Sequence, residues 1–105
     1  MIDRTRLESL LASDPKLVTK FLSIFKSQTP DQLNTLSVAV ADGNWDQASI
    51  TAHAIKSQCK YVGLDELADF AQNIEQLTEE KHLLHLIPGL VAELKIRLLT
   101  IIERD

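Results

Sequence analysis

One histidine stands among residues whose types and spacing could support a nucleophilic attack. In the stretch TAHAIKSQCKYVG, His53 is followed by Lys56 three residues on, by the small Ser57 and by Lys60. A neutral imidazole is a nucleophile, and nearby ammonium groups attract an anionic electrophile such as a phosphoryl group. The alternative interpretation is an ordinary solvated histidine on a polar helix face.

The helix that carries His53 is predicted from Trp45 to about Val62, opened by Asn44 and ended by Gly63. Its apolar positions fall in one sector of the helix, which is the expected core face. His53 lies about 130° from the centre of that sector at 100° per residue, so we expect it on the solvent face. The residues expected beside it on the helix surface are Asp46, Ser49, Lys56, Ser57 and Lys60, with Ile50 further round. Tyr61 also lies off the core sector.

Small neighbours such as Ser49 and Ser57 should leave the imidazole open to a large partner. Ile50 and Tyr61 are either docking residues or contacts to a neighbouring helix, and the sequence does not decide between these two roles. Cys59 lies on the expected core face and is interpreted as a small buried hydrophobic residue.

The remaining chain predicts an all-α fold, because apolar residues recur at intervals of three and four almost everywhere. Four long amphipathic helices with short connections predict an antiparallel four-helix bundle, with a short extra N-terminal helix covering one end. The single domain is expected to span 1–105. Besides the histidine helix, the expected helices cover about 3–11, 14–41, 64–78 and 81–103.

Two prolines fall within these predicted helices. The apolar stripe keeps its phase across Pro30, which favours one kinked helix over two separate helices. Pro88 also leaves the phase unchanged, so a kink or an irregular first turn is expected in the last helix. Asp14 and Pro15 are typical of a helix start.

Composition excludes several classes of function. The net charge of −4 and the pI of about 5.3 leave no basic face for nucleic acid. Three glycines provide no phosphate-binding loop for a nucleotide. No apolar run approaches the roughly 20 residues of a membrane helix. A single cysteine and the absence of a signal-peptide core predict a cytoplasmic protein. We also expect a monomer.

A second pair of histidines could in principle bind a metal ion. His82 and His85 are three residues apart and lie near Glu79 and Glu80. No further ligand is evident nearby, so a solvated helix start is favoured and no metal site is expected.

The stretch AHAIKSQCKYVGLDEL resembles the signature of histidine phosphotransfer (HPt) domains of bacterial and plant phosphorelays. The histidine, aliphatic, lysine, small and glycine positions of that signature are occupied by His53, Ile55, Lys56, Ser57 and Gly63. The preceding residues, 14–53, also look like the family pattern. The family more often has glycine in place of Ser57 and small residues in place of Lys60 and Tyr61.

The resemblance implies that His53 accepts a phosphoryl group from an aspartate of a response-regulator receiver domain and passes it to the aspartate of another. Lys56 would stabilise charge, and the partner would contact Ser49, Ile50, Ser57, Lys60 and Tyr61. The receiver would supply Mg²⁺, so no cofactor of its own is expected. A hybrid sensor histidine kinase would be a further partner. The chain would be a phosphoryl carrier without an ATP site and not an enzyme.

Two other functions fit an amphipathic helical bundle. A helical adaptor without chemistry would hold a partner helix in an apolar groove, and His53 would then be dispensable. A receiver-binding inhibitor would dock without being phosphorylated, but the intact His53 and Lys56 disfavour it. Met1 and the charged end of the chain mildly favour a free-standing protein over a piece of a hybrid kinase.

Overall fold

The helical content expected from the sequence is present throughout the computed structural model. It describes residues 2–104, so Met1 and Asp105 of the expected domain lie outside the described residues. Within that range there is no strand, and a 3₁₀ turn at Leu84–Leu86 precedes the last helix. The α-helices are α1 (Arg4–Leu10), α2 (Pro15–Ala41), α3 (Trp45–Tyr61), α4 (Asp65–Glu80) and α5 (Ile87–Arg104). The predicted all-α fold is confirmed.

The four long helices form a closed ring around one core. Helix α2 packs against α3 and α5, and α4 also packs against both, while α1 lies against α2 and α3. Ser49 bonds to Glu79 and His53 contacts Glu75, so α3 and α4 run antiparallel. Fully buried alanines such as Ala52 and Ala68 permit the close approach of these two helices.

Helix α2 continues without interruption through Pro30. Asp14 caps its first turn by accepting hydrogen bonds from the amides of Lys16 and Leu17, and Pro15 takes the first helical position. Thr29, just before the internal proline, is buried and donates its hydroxyl to Oε1 of Gln58 on α3, at 3.2 Å. The interpretation of one helix instead of two is therefore confirmed.

The predicted bounds of the histidine helix are also confirmed. Asn44 accepts a hydrogen bond from the amide of Gln47 at 3.2 Å, which caps the first turn of α3. After the helix, Gly63 has a φ of +76°, a left-handed conformation that glycine adopts at little cost.

The predicted start of the last helix is wrong. It was expected near Lys81, but Lys81 and Leu83 both adopt left-handed conformations and α5 begins only at Ile87. Pro88 is the second residue of α5, where it removes no intrahelical hydrogen bond. The apolar residues of the irregular segment continue the helical spacing, and half-buried Leu84 packs against the core. The alternative of an irregular first turn is confirmed.

None of the helices formed by residues 2–104 is both long and apolar enough to cross a membrane.

Candidate functional site

His53 lies midway along α3 with 57% of its side chain exposed. The opposite side of the helix is fully buried in the core, at Ala48, Ala52, Ile55 and Cys59. The predicted exposure of His53 is therefore confirmed, and the imidazole is accessible to a large partner.

A carboxylate from α4 holds the imidazole in place. Oε2 of Glu75 lies 2.9 Å from Nδ1 of His53, and only 14% of the Glu75 side chain is exposed. A carboxylate can only accept a hydrogen bond, so in the neutral imidazole the proton must lie on Nδ1. The lone pair then lies on Nε2, the nitrogen that Glu75 does not engage.

The same carboxylate also engages the lysine of the motif. Nζ of Lys56 lies 3.1 Å from Oε1 of Glu75, and only 16% of the Lys56 side chain is exposed. The positive charge expected beside His53 is therefore paired with a negative charge that the sequence reasoning missed. One glutamate joins the histidine and the lysine into a single charged cluster.

A simple rule could have found Glu75. Helices α3 and α4 are antiparallel neighbours joined by a short turn at Gly63 and Leu64, so residues equally far from that turn lie side by side. His53 precedes Leu64 by as many residues as Glu75 follows it. The contact depends on pairing between helices, which the periodicity of one helix does not reveal.

Ser49 does not border the histidine as an open position. Its side chain is buried against α4, and its hydroxyl bonds to Oε1 of Glu79 at 3.2 Å. The exposure expected of Ser49 is wrong because α4 packs closely enough on α3 to widen the buried sector.

The other predicted partner residues do lie on the open side. Ile50 and Tyr61 are 65% and 46% exposed, Lys60 is exposed and Ser57 is half-buried. Tyr61 also packs edge-on against Phe21 of α2, with ring centroids 5.9 Å apart. Of the two roles that the sequence left open for Tyr61, the contact with a neighbouring helix is present, and the docking role stays a prediction.

Comparison with known families agrees with this arrangement. A family model described as the Hpt domain matches residues 20–104, nearly the whole chain. The chain belongs to the Hpt domain family. No curated protein and no solved structure shows significant similarity to it. Hpt domains are helical bundles and phosphocarrier modules of two-component signalling, in which they interact with receiver domains and kinases.

In this Hpt domain, apolar residues of α2 adjoin Tyr61 at the end of the exposed side of α3. Leu17 and Ile24 are both exposed, and their spacing from Phe21 places them on the side of α2 that meets Tyr61. We call the surface formed by Leu17, Phe21, Ile24, Ile50, His53, Ser57, Lys60 and Tyr61 the histidine face. Exposed apolar side chains lie beside polar ones on this face, so it stays the predicted docking surface.

The opposite border of the histidine face is polar and acidic. A shallow groove beside Lys56 and Glu75 is lined by Gln72, Gln76, Glu79 and Glu80 of α4. Across residues 2–104, His, Cys, Asp and Glu side chains form no group of three that could hold a metal ion. His82 and His85 are both exposed in the segment between α4 and α5, and His85 lies in the 3₁₀ turn that directly precedes α5.

Proposed function

We propose that this Hpt domain carries a phosphoryl group on Nε2 of His53, between the aspartates of two receiver domains. The observation that supports this most is the contact of Glu75 with Nδ1, which leaves Nε2 as the nucleophilic nitrogen of an exposed ring. A phosphohistidine formed there projects from the surface of a rigid helix, where a second protein can reach it.

In the proposed transfer, the Nε2 lone pair of His53 attacks the phosphorus atom of an aspartyl phosphate. An N–P bond forms, the bond between phosphorus and the aspartate oxygen breaks, and the electron pair leaves with the carboxylate. The proton on Nδ1 stays in place, so the ring becomes positively charged. The carboxylate of Glu75 stabilises that charge at 2.9 Å. Transfer to the second receiver is the same step in reverse.

Lys56 has an indirect part in this proposal. Its ammonium group is held by Glu75, so it adds positive potential near the site while keeping the carboxylate in position. In this proposal the receiver contributes Mg²⁺ and the remaining charge stabilisation. Phosphoryl transfer depends mainly on positioning and electrostatics. In this proposal the Hpt domain positions the imidazole, and the receiver supplies most of the charge stabilisation.

The histidine face is the proposed docking surface for receivers, with a hybrid sensor histidine kinase as the upstream partner. Exposed Ile50 and Tyr61 provide apolar contacts on either side of His53 along α3, and half-buried Ser57 leaves room for close approach. Lys60 adds an exposed positive charge that a carboxylate of the partner can meet.

The test is phosphoryl transfer from purified receivers that have been phosphorylated with a small-molecule donor in the presence of Mg²⁺. We expect labelling of the wild-type protein to be labile in acid and stable in base, as an N-linked phosphate requires. His53→Gln should abolish labelling, while its stability should change by no more than about 0.5 kcal/mol because the position is exposed. Matched controls are His82→Gln and His85→Gln, which should label normally. Labelling that survives His53→Gln contradicts the proposal and leaves an adaptor without chemistry.

A further inference from the structure

Helix α1 lies outside the residues matched by the family model, yet it packs against α3, and its segment forms hydrogen bonds to the end of α3. The match begins at residue 20, whereas α1 spans Arg4–Leu10. Leu7 of α1 is 1% exposed and belongs to the common core. This segment is therefore an integral part of the fold, and its polar contacts fall on α3 and on the start of α4.

Two donors from the N-terminal segment satisfy carbonyl groups at the end of α3. The amide of Asp3 donates to the carbonyl of Val62 at 2.6 Å, and Nη1 of Arg6 donates to the carbonyl of Lys60 at 3.3 Å. The carbonyl of Lys60 also accepts a hydrogen bond from the amide of Gly63 at 3.2 Å. The contacts from the N-terminal segment therefore add to the bonds that the turn itself makes at the end of α3.

The guanidinium of Arg6 also reaches the next helix. It forms a two-pronged ion pair with Asp65, in which Nη1 meets Oδ1 and Nη2 lies 2.9 Å from Oδ2. Asp65 is the first residue of α4. A single arginine thus joins the last turn of α3 to the first turn of α4, in the planar geometry that suits a carboxylate.

The turn between α3 and α4 packs closely against the N-terminal segment, where Gly63 lies beside Asp3. A methyl group on Gly63 would overlap Cβ of Asp3, so only glycine allows the N-terminal segment to come this near. The positive φ of Gly63 adds a second reason for glycine at that position.

We propose that Arg6 is a positioning residue, which holds the last turn of α3 so that Lys60 and Tyr61 meet the partner in one fixed arrangement. The inference rests on the proposed function for the identity of the partner, a receiver domain. Tyr61 follows His53 by about two helical turns, roughly 12 Å along the axis. Loss of Arg6 should therefore weaken docking and leave the chemical step at His53 unchanged.

The first part of the test needs no partner. Amide hydrogen exchange, followed by NMR, compares the wild-type protein with Arg6→Ala, Arg6→Lys and the matched control Arg4→Ala, an exposed arginine of the same helix. We expect the amides of 62–64 to exchange roughly threefold to tenfold faster in Arg6→Ala, with no change in the middle of α4 or α5. Exchange in Arg6→Lys should be intermediate, because lysine keeps the positive charge but lacks the planar guanidinium that meets both carboxylate oxygens.

Two exchange results would overturn the positioning role. One is equal acceleration along all helices, which would mean that Arg6 contributes only general stability. The other is unchanged exchange at 62–64.

The second part measures transfer from a receiver that phosphorylates the wild-type protein. We expect Arg6→Ala to raise KM for that receiver by roughly threefold to tenfold while kcat stays the same, and Arg4→Ala to change neither. A lower kcat with unchanged KM, or no change in either constant, contradicts the proposal. If no receiver phosphorylates the wild-type protein, the proposed function and the partner assigned here both fail. The exchange data then still decide whether Arg6 fixes the turn.

Discussion

In the proposed transfer, the reactivity of the residue His53 depends on a carboxylate that belongs to another helix. Glu75 accepts the Nδ1 proton on one oxygen and meets Lys56 on the other. Its side chain is mostly covered, so the interaction with the imidazole is shielded from water and stronger than one at an open surface. Orientation of the ring, the position of its proton and the local charge balance all depend on this glutamate.

Removal of the Glu75 carboxylate should slow the proposed phosphoryl transfer. Glu75→Ala should slow phosphoryl transfer to His53 by roughly tenfold to a hundredfold, because a hydrogen bond to a charged group is lost. The rate should fall less in Glu75→Gln, since the amide oxygen of glutamine can still accept a hydrogen bond from Nδ1–H. Rates of transfer from one receiver measure both effects. Glu79→Ala serves as the control one turn further along α4, where the carboxylate bonds to Ser49. Equal rates for Glu75→Ala and wild type would show that Glu75 has no such role.

The difference between what the sequence predicted and what it missed follows from the kind of contact involved. The exposure of His53 and the bounds of α3 depend on spacing within one helix and on local capping by Asn44, so they could be predicted. The contact with Glu75 and the burial of Ser49 depend on how closely α4 packs against α3, which a single helix does not encode. The late start of α5 was missed because left-handed Lys81 and Leu83 interrupt a spacing that still looks helical.

Among the helices, α3 has two faces with different surroundings. One face is buried in the core, and the other presents His53 with exposed Ile50 and Tyr61. The neighbours of α3 then differ in character: α2 adds apolar side chains to the histidine face, and α4 adds the polar groove beside Glu75. A partner that approaches His53 therefore meets an apolar border on one side and an acidic border on the other.

A bulky substitution on the open face of α3 tests this element. Ser57→Tyr should block transfer from a receiver by steric clash, because Ser57 lies one turn from His53 on the same face. The bundle should remain folded, since the position is outside the core. Transfer assays and thermal unfolding measure the two effects.

Thr100→Tyr, at an exposed position on α5, is the matched control and should transfer normally. If Ser57→Tyr also exchanges phosphate at the normal rate, the docking surface lies elsewhere.

In the whole molecule, the closed ring of helices encloses a buried apolar core that includes Cys59. Burial raises the pKa of the Cys59 thiol from 9.0 to about 12, because the thiolate would lose its hydration. The folded state therefore holds this cysteine in its neutral form at a pH where the unfolded chain begins to ionise.

This raised pKa predicts how stability depends on alkaline pH. The contribution of the neutral thiol is fully present below pH 9 and is lost as the pH rises from 9.0 towards 12. We expect the free energy of unfolding to fall across this window, by at most about 1.4 kcal/mol per pH unit. Urea unfolding between pH 8 and 11 measures it. In the Cys59→Ala variant the free energy of unfolding should fall less steeply with pH. Identical pH dependence in the two proteins would contradict a role for the Cys59 thiol.

The proposed function places the phosphoryl group on Nε2 of His53, while Nδ1 keeps its proton against Glu75. The most direct test is NMR of the ¹⁵N-labelled protein after phosphorylation by a receiver, with detection of the ³¹P–¹⁵N coupling that identifies the substituted nitrogen. We expect coupling to Nε2 of His53, with Nδ1 still protonated. Coupling to Nδ1 of His53, or to either nitrogen of His82 or His85, would contradict it.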